Sequence, residues 1–287
     1  MEVIRILGET LKYYLVDARD PRVDDWFLMQ SPIPIICLLL VYNYFVLNLG
    51  PKLMEKRAPF ELKYPMILYN LSQICANGYF VFESFRLIWL PREYNLLCEE
   101  VNYSSTDFLA QRVLFFTYLF FWTKVLDLLD TIFMVLRKKN NQISFLHVYH
   151  HTGMVIANWI CTKYVGGGHP VFFGTVNAFV HTIMYSYYFL TALYPQYKKS
   201  IWWKKHITEI QLIQFVVTTL HSLAALFNPS CGFPKFLLTL FIPQDIFMFF
   251  LFMDFYVKAY WKTPKVDVSD NREKTVECNG EEKLKQR

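Results

Sequence analysis

The chain has 287 residues, of which 54% are hydrophobic, 18% aromatic and only 18% charged. A water-soluble domain carries roughly a quarter charged residues, so the composition excludes a disordered chain and argues against a soluble enzyme. The net charge of +5 gathers in loops and tail rather than on a basic face, which argues against nucleic acid as a partner.

The first thirty residues hold Asp17, Asp20, Asp24 and Asp25 without an apolar core, so no cleavable signal peptide is expected. Apolar runs then recur at 33–49, 66–90, 110–136, 143–163, 170–194, 206–227 and 235–258. Most approach or exceed the roughly 20 residues that a bilayer core requires. Pro32 and Pro34 suit a helix start, and Pro51, Pro91, Gly166 to Gly168, Pro195 and Pro229 punctuate the ends of others. The expected fold is therefore an all-α polytopic membrane protein with seven transmembrane helices. Residues 1–32 precede the spans, 33–260 form one transmembrane domain, and the polar tail 261–287 reads as disordered.

Loop charge orients the spans. Lys52, Lys56, Arg57 and Lys63 follow span 1, Arg137, Lys138 and Lys139 follow span 3, and Lys198, Lys199, Lys204 and Lys205 follow span 5. The tail adds eight more from Lys258 to Arg287, while Arg92, Lys163 and Lys235 stand almost alone on the other side. The positive-inside rule places the C-terminus in the cytosol and, with seven spans, the N-terminus in the lumen. On that lumenal side fall the sequon Asn102-Tyr103-Ser104, a glycosylation acceptor, and the side's only loop cysteines, Cys98 and Cys231. An oxidising lumen would join those two.

Ionisable groups at membrane depth are costly and usually mark a site. Span 3 carries Lys124, Asp127, Asp130 and Thr131; span 4 carries Gln142, His147, His150 and His151. Span 5 carries Asn177, His181, Tyr185 and Tyr188, and span 6 carries Thr208, Gln211 and Gln214. His147, His150 and His151 stand at i, i+3 and i+4, so they share a turn and a face. Asn177, His181, Tyr185 and Tyr188 form a second stripe, and Lys124, Asp127 and Thr131 a third. With the orientation applied, these stripes converge on a buried polar chamber in the cytosolic half. A single buried histidine is commonly a satisfied core residue; three on one turn facing a fourth and two acids indicate a functional site. Glu83 and Arg86 read as a structural ion pair, and Asp245 and Asp254 as helix-packing partners.

Four motifs stand in order along the chain. They are Lys124-Val-Leu-Asp127-Leu-Leu-Asp130-Thr131, Gln142-Ile-Ser-Phe-Leu-His147-Val-Tyr-His150-His151, Asn177-Ala-Phe-Val-His181-Thr-Ile-Met184-Tyr185-Ser-Tyr187-Tyr188 and Thr208-Glu-Ile-Gln211-Leu-Ile-Gln214. Over nearly its whole length the sequence resembles the fatty acid elongases, the very-long-chain 3-ketoacyl-CoA synthases of the endoplasmic reticulum. One departure is Asp127, where that family more often has Glu. The resemblance implies a seven-helix barrel around an acyl tunnel and the condensation of acyl-CoA with malonyl-CoA to 3-ketoacyl-CoA, carbon dioxide and CoA. No cofactor beyond the two thioesters is implied. Separate reductases and a dehydratase complete the cycle as partners, alongside membrane lipids; a homodimer is left open.

Soluble ketosynthases carry the acyl group on cysteine, but Cys161 lies ten residues past His151, about 15 Å along a helix. The acyl carrier is then a histidine, since neutral imidazole is a competent nucleophile, or both thioesters react together. His150 is the expected acyl acceptor and His181 its partner in condensation, with His147 and His151 orienting the group or donating to oxyanions. Asn177, Lys124 and a histidine N–H are candidate donors to the malonyl thioester oxygen, and Asp130 completes the catalytic set. Asp127, Thr131, Gln142, Tyr185, Tyr188, Gln211 and Gln214 are expected to line the substrate site, and Arg137, Lys138, Lys139, Lys204 and Lys205 to meet CoA phosphates. No metal site is expected. The competing class is a metal-dependent membrane desaturase or hydroxylase, whose histidine boxes look locally similar, although those enzymes use about eight histidines and this chain has seven. A lipid transporter is a third class, without the internal repeat it would call for. Lys283 and Lys285 resemble a dilysine retrieval signal for the endoplasmic reticulum.

Overall fold

Residues 18–91 and 94–261 are described in the computed structural model; the tail with Lys283 and Lys285 lies outside them. Seven long helices and no strand occur among the described residues. They are α1 (Ile33–Met54), α2 (Lys63–Ser84), α3 (Phe108–Leu136), α4 (Phe145–Tyr164), α5 (Pro170–Leu193), α6 (Ile201–Phe227) and α7 (Lys235–Trp261). Among the described residues α1, α6 and α7 are long and apolar enough to cross a membrane by length and composition. Leu40, Leu220 and Phe250 are each at least 60% exposed, a cost in water but not in lipid. The chain is a membrane protein.

Local chemistry fixes the helix ends. The Asp107 carboxylate accepts from the Ala110 N–H at 2.6 Å to cap α3, and Ser144 Oγ accepts from the His147 N–H at 3.2 Å to cap α4. Each satisfies a donor that the first helical turn leaves orphaned. The turn between α4 and α5 needs glycine, because Gly167 and Gly168 have φ of 141° and 64°. A Cβ on Gly168 would also meet Val101 Cγ2 at 2.9 Å.

Two expected boundaries move. Pro51 does not end α1, because a wide turn over Phe45–Leu49 lets the Gly50 N–H reach Phe45 O and the helix resumes to Met54. Such a turn absorbs the hydrogen bond that proline cannot make. Helix α6 begins at Ile201, so Lys204 and Lys205 lie on its first turns instead of in a loop. Hydropathy marks where the apolar run begins, whereas a helix can continue into polar surroundings.

Helix α2 packs along α5, α3 along α4, and α5 against α6. Val46, Phe121, Val135 and Val155 form the heart of a core shared by α1, α3 and α4. Phe80, Phe116, Phe120 and Ala178 join α2, α3 and α5 in another. Cys98 and Cys231 are joined in a disulfide that ties the α2–α3 connection to the α6–α7 connection. Arg86, in the wide turn Phe85–Trp89 that follows α2, donates to Glu83 at 2.6 Å as an ion pair. The chain divides after Phe252 into two units; the described part of the second is the end of α7, where Lys258 pairs with Asp254 at 2.6 Å.

Candidate active site

Two polar clusters meet on α3. The first lies between α2, α3 and α5. Lys124 Nζ is 3.3 Å from Asp127 Oδ2 and 3.3 Å from His181 Nδ1, and that histidine nitrogen is 3.6 Å from the same carboxylate oxygen. Gln73 Nε2 donates to Asp127 Oδ1 at 2.7 Å. The Tyr185 hydroxyl lies 2.9 Å from Asp127 Oδ1 and 2.7 Å from Asp130 Oδ2, and the Tyr69 hydroxyl is 3.2 Å away from it. Lys124, Asp127, His181 and Tyr185 are all buried. A buried ion pair persists only when further hydrogen bonds satisfy the remaining lone pairs, and Gln73 and Tyr185 do this for Asp127. The aspartate therefore reaches Lys124 with a side chain one methylene shorter than glutamate.

The second cluster joins α1, α3 and α4. Thr131 Oγ1 is 2.9 Å from His147 Nε2, and the Tyr42 hydroxyl donates to Thr131 at 2.7 Å. The His147 and His151 rings are 4.2 Å apart, and those of His150 and His151 5.5 Å. His147 thus turns toward α1 and α3. His150 lines a cavity of about 130 Å³.

That cavity follows one face of α4. His150, Gly153, Met154, Ala157, Asn158 and Cys161 border it in turn, a run of about 16 Å at helical rise. Phe80, Phe116 and Phe120 supply apolar wall from α2 and α3, while His169 and His221 border it as well. The result is an elongated, largely apolar slot with three imidazoles on its wall. Buried polar atoms ordinarily find a partner, yet His151 Nδ1, Asn177 Oδ1 and Gln214 Oε1 have none. None of the three residues borders the cavity itself.

Several expected residues stand apart from this centre. Gln142 and Lys139 are exposed in the α3–α4 connection and Lys204 is exposed on α6. Arg137 Nη1 contacts Met66 Sδ at 3.2 Å, and Lys138 Nζ donates to the Glu55 and Arg57 carbonyls, tying two loops together. Tyr188 is 42% exposed at the outer end of its stripe. Gln211 contacts Met184 Sδ at 3.7 Å. Asn102 is exposed, and its side-chain oxygen accepts from the Ser104 N–H at 2.9 Å. Among the described residues no three His, Cys, Asp or Glu side chains gather as a metal-ligand set.

Sequence reading missed Tyr42, Tyr69 and Gln73. The signal was present for α2: Asn70, Gln73 and Asn77 step by three and four through an apolar run, and all three are buried. The rule that found the stripe on α5 would have found this one.

The geometry describes a membrane protein with a histidine-rich polar centre beside an apolar slot. Residues 27–268 match the ELO family model, described as the GNS1/SUR4 family, and the chain belongs to that family. It is 42% identical over 262 residues to very long chain fatty acid elongase 7 of Rattus norvegicus, covering 90% of this chain and 92% of the relative. It is 41% identical to the Drosophila melanogaster protein of the same name, over 98% of this chain and 83% of that one. Very long chain fatty acid elongase 4 of Homo sapiens is 39% identical, over 96% and 87% respectively.

Proposed function

We propose that this protein elongates fatty acids as the condensing enzyme, joining a long-chain acyl-CoA to malonyl-CoA. The observation that carries this reading is the placement of His150 on the wall of an apolar slot, on one turn with His147 and His151 and near the Lys124–Asp127–His181 cluster. The slot takes the acyl chain, and the polar centre takes the two thioesters. Seven spans forming a barrel around that slot fit the seven helices.

In the first half-reaction the neutral His150 imidazole attacks the acyl thioester, the C–S bond breaks, and the imidazole proton accompanies CoA as its thiol. Malonyl-CoA then loses carbon dioxide, and the resulting enolate attacks the acyl carbonyl while the C–N bond to histidine breaks. One proton is taken up, returning the imidazole to its neutral form. Asn177 and a histidine N–H stabilise the enolate oxygen, with Lys124 as the nearby cation. Low polarity around the malonyl carboxylate favours its loss. Arg137, Lys139 and Lys204 receive CoA phosphates at the cytosolic mouth. The protein resides in the endoplasmic reticulum membrane with its N-terminus lumenal, and passes its product to reductases and a dehydratase.

Purified protein incubated with acyl-CoA alone tests the covalent step. The expected result is a mass gain equal to the acyl group, an equivalent of free CoA, and loss of both in His150→Ala. No mass gain and no free CoA overturns the acyl-histidine; no 3-ketoacyl product on adding malonyl-CoA overturns the condensation.

A further inference from the structure

The sequon Asn102-Tyr103-Ser104 takes no part in the condensation, and the fold gives it a setting of its own. Cys98 stands four residues before Asn102 and is joined to Cys231. Disulfides form in oxidising compartments, and Asn-X-Ser acceptors are glycosylated on that same side of the membrane. Asn102 is exposed. Its Oδ1 accepts from the Ser104 N–H at 2.9 Å, while Nδ2, the atom that carries a glycan, has no hydrogen-bond partner among the described residues.

The rest of the tripeptide is tied down. Arg22 Nη1 donates to the carbonyls of Asn102 and Ser104, each at 3.0 Å, and the guanidinium lies 5.7 Å from the centre of the Tyr103 ring. The Tyr103 hydroxyl donates to the Tyr164 carbonyl at 3.0 Å. Ser104 Oγ accepts from the N–H groups of Thr106 and Asp107 at 3.3 Å and 3.1 Å. The arginine is itself held. Asp20 is fully buried, takes Arg22 Nε at 3.0 Å and Nη2 at 2.7 Å, and donates its own N–H to the Lys163 carbonyl at 2.8 Å. A guanidinium fork seated on a carboxylate has a fixed direction as well as strength. The sequon, the segment before α1 and the end of α4 thus close into one clamp.

The acceptor motif demands both the Asn amide and the hydroxyl two residues on. In the closed clamp that hydroxyl is committed to Thr106 and Asp107, and the backbone on either side of Tyr103 is fixed by Arg22. We propose that Asn102 is an N-glycan acceptor whose occupancy Arg22 controls: the open loop is glycosylated and the clamped loop is not. In the transfer, Asn102 Nδ2 displaces the diphosphate of a lipid-linked oligosaccharide from the anomeric carbon. One C–N bond forms, one C–O bond breaks, Nδ2 loses one proton and the lipid diphosphate leaves. Arg22 grips carbonyls rather than Nδ2, so a glycan already in place does not stop the clamp from closing.

The test expresses the full chain in cultured animal cells and compares gel mobility before and after peptide N-glycosidase. Wild type, Asn102→Gln, Arg22→Ala, Arg22→Lys and Val155→Ala are run side by side. A minority of wild-type chains is expected to shift by one glycan. In Arg22→Ala the shifted fraction should rise about threefold, within the scale of one net hydrogen bond. Arg22→Lys should fall between the two, because lysine lacks the fork that spans Asp20 and both carbonyls. Val155, buried in the core of α1, α3 and α4, controls for impaired folding, and Val155→Ala should match wild type. A shift that survives Asn102→Gln, or none in both wild type and Arg22→Ala, overturns Asn102 as the acceptor. Equal fractions in wild type and Arg22→Ala, or an equal rise in Val155→Ala, overturn control by Arg22. If Arg22→Ala fails to accumulate, Arg22→Lys decides by the same comparison.

Discussion

Thr131 joins Tyr42 to His147. The Tyr42 hydroxyl donates to Thr131 Oγ1 at 2.7 Å, and the same oxygen lies 2.9 Å from His147 Nε2. The chain of contacts holds in place a histidine whose ring is 4.2 Å from His151. Thr131→Val keeps the shape and removes the hydroxyl. Under the proposed condensation, we expect kcat for 3-ketoacyl-CoA formation to fall about tenfold, the worth of roughly one hydrogen bond, with KM within twofold. Thr131→Ser should restore it, and steady-state kinetics on the three proteins checks the prediction.

Asp127 holds four partners at once: Lys124, His181, Gln73 and Tyr185. Asp127→Leu leaves Lys124 buried without its counter-charge, which costs about 3–5 kcal/mol. Replacing both, as Lys124→Met with Asp127→Leu, should cost less than the two single losses combined, because contacting residues are not additive. Thermal unfolding of the four proteins in detergent provides the cycle. Equal, additive losses would show that the pair is not coupled.

The glycine turn between α4 and α5 is a backbone requirement independent of chemistry. Gly168→Ala forces a side chain into φ of 64° and against Val101 Cγ2. The left-handed conformation alone costs about 1–2 kcal/mol, so the melting temperature should fall while the pH profile of turnover stays as in wild type. A variant as stable as wild type would show that the connection relaxes freely.

Removal of the disulfide acts on stability before activity. Cys98→Ser with Cys231→Ser should lower stability by roughly 2–4 kcal/mol, since the bond closes a loop of 133 residues. Differential scanning calorimetry with and without reductant checks this: reductant should reproduce the double substitution in wild type and change nothing in the variant.

What was legible in the sequence follows from what each signal measures. Hydropathy located every helix, because apolar runs and helices coincide where lipid surrounds them. It misplaced the start of α6, because Ile201 to Lys205 continue the helix without continuing the apolar run. Helical spacing gathered Lys124 with Asp127 and aligned the α4 histidines, since those neighbours share a helix. It could not pair Thr131 with His147 or Tyr42, nor Gln73 with Asp127, because those contacts depend on how different helices are rotated against one another. Asp245 was read as a packing residue. That holds for one carboxyl oxygen, bound by Thr218 and Thr219, while its place on the slot wall is a property of the fold.

The link between Cys98 and Cys231 also has a meaning in time. A ribosome adds about 5–20 residues per second, so Cys98 precedes its partner by the time needed to make the 133 residues between them, on the order of ten seconds. Throughout that interval four helices are still being made and Cys98 waits without its native partner. Any oxidant that acts faster than synthesis finds that thiol still unpaired, so the yield of correctly joined protein should rise when oxidation is slowed or translation is quickened.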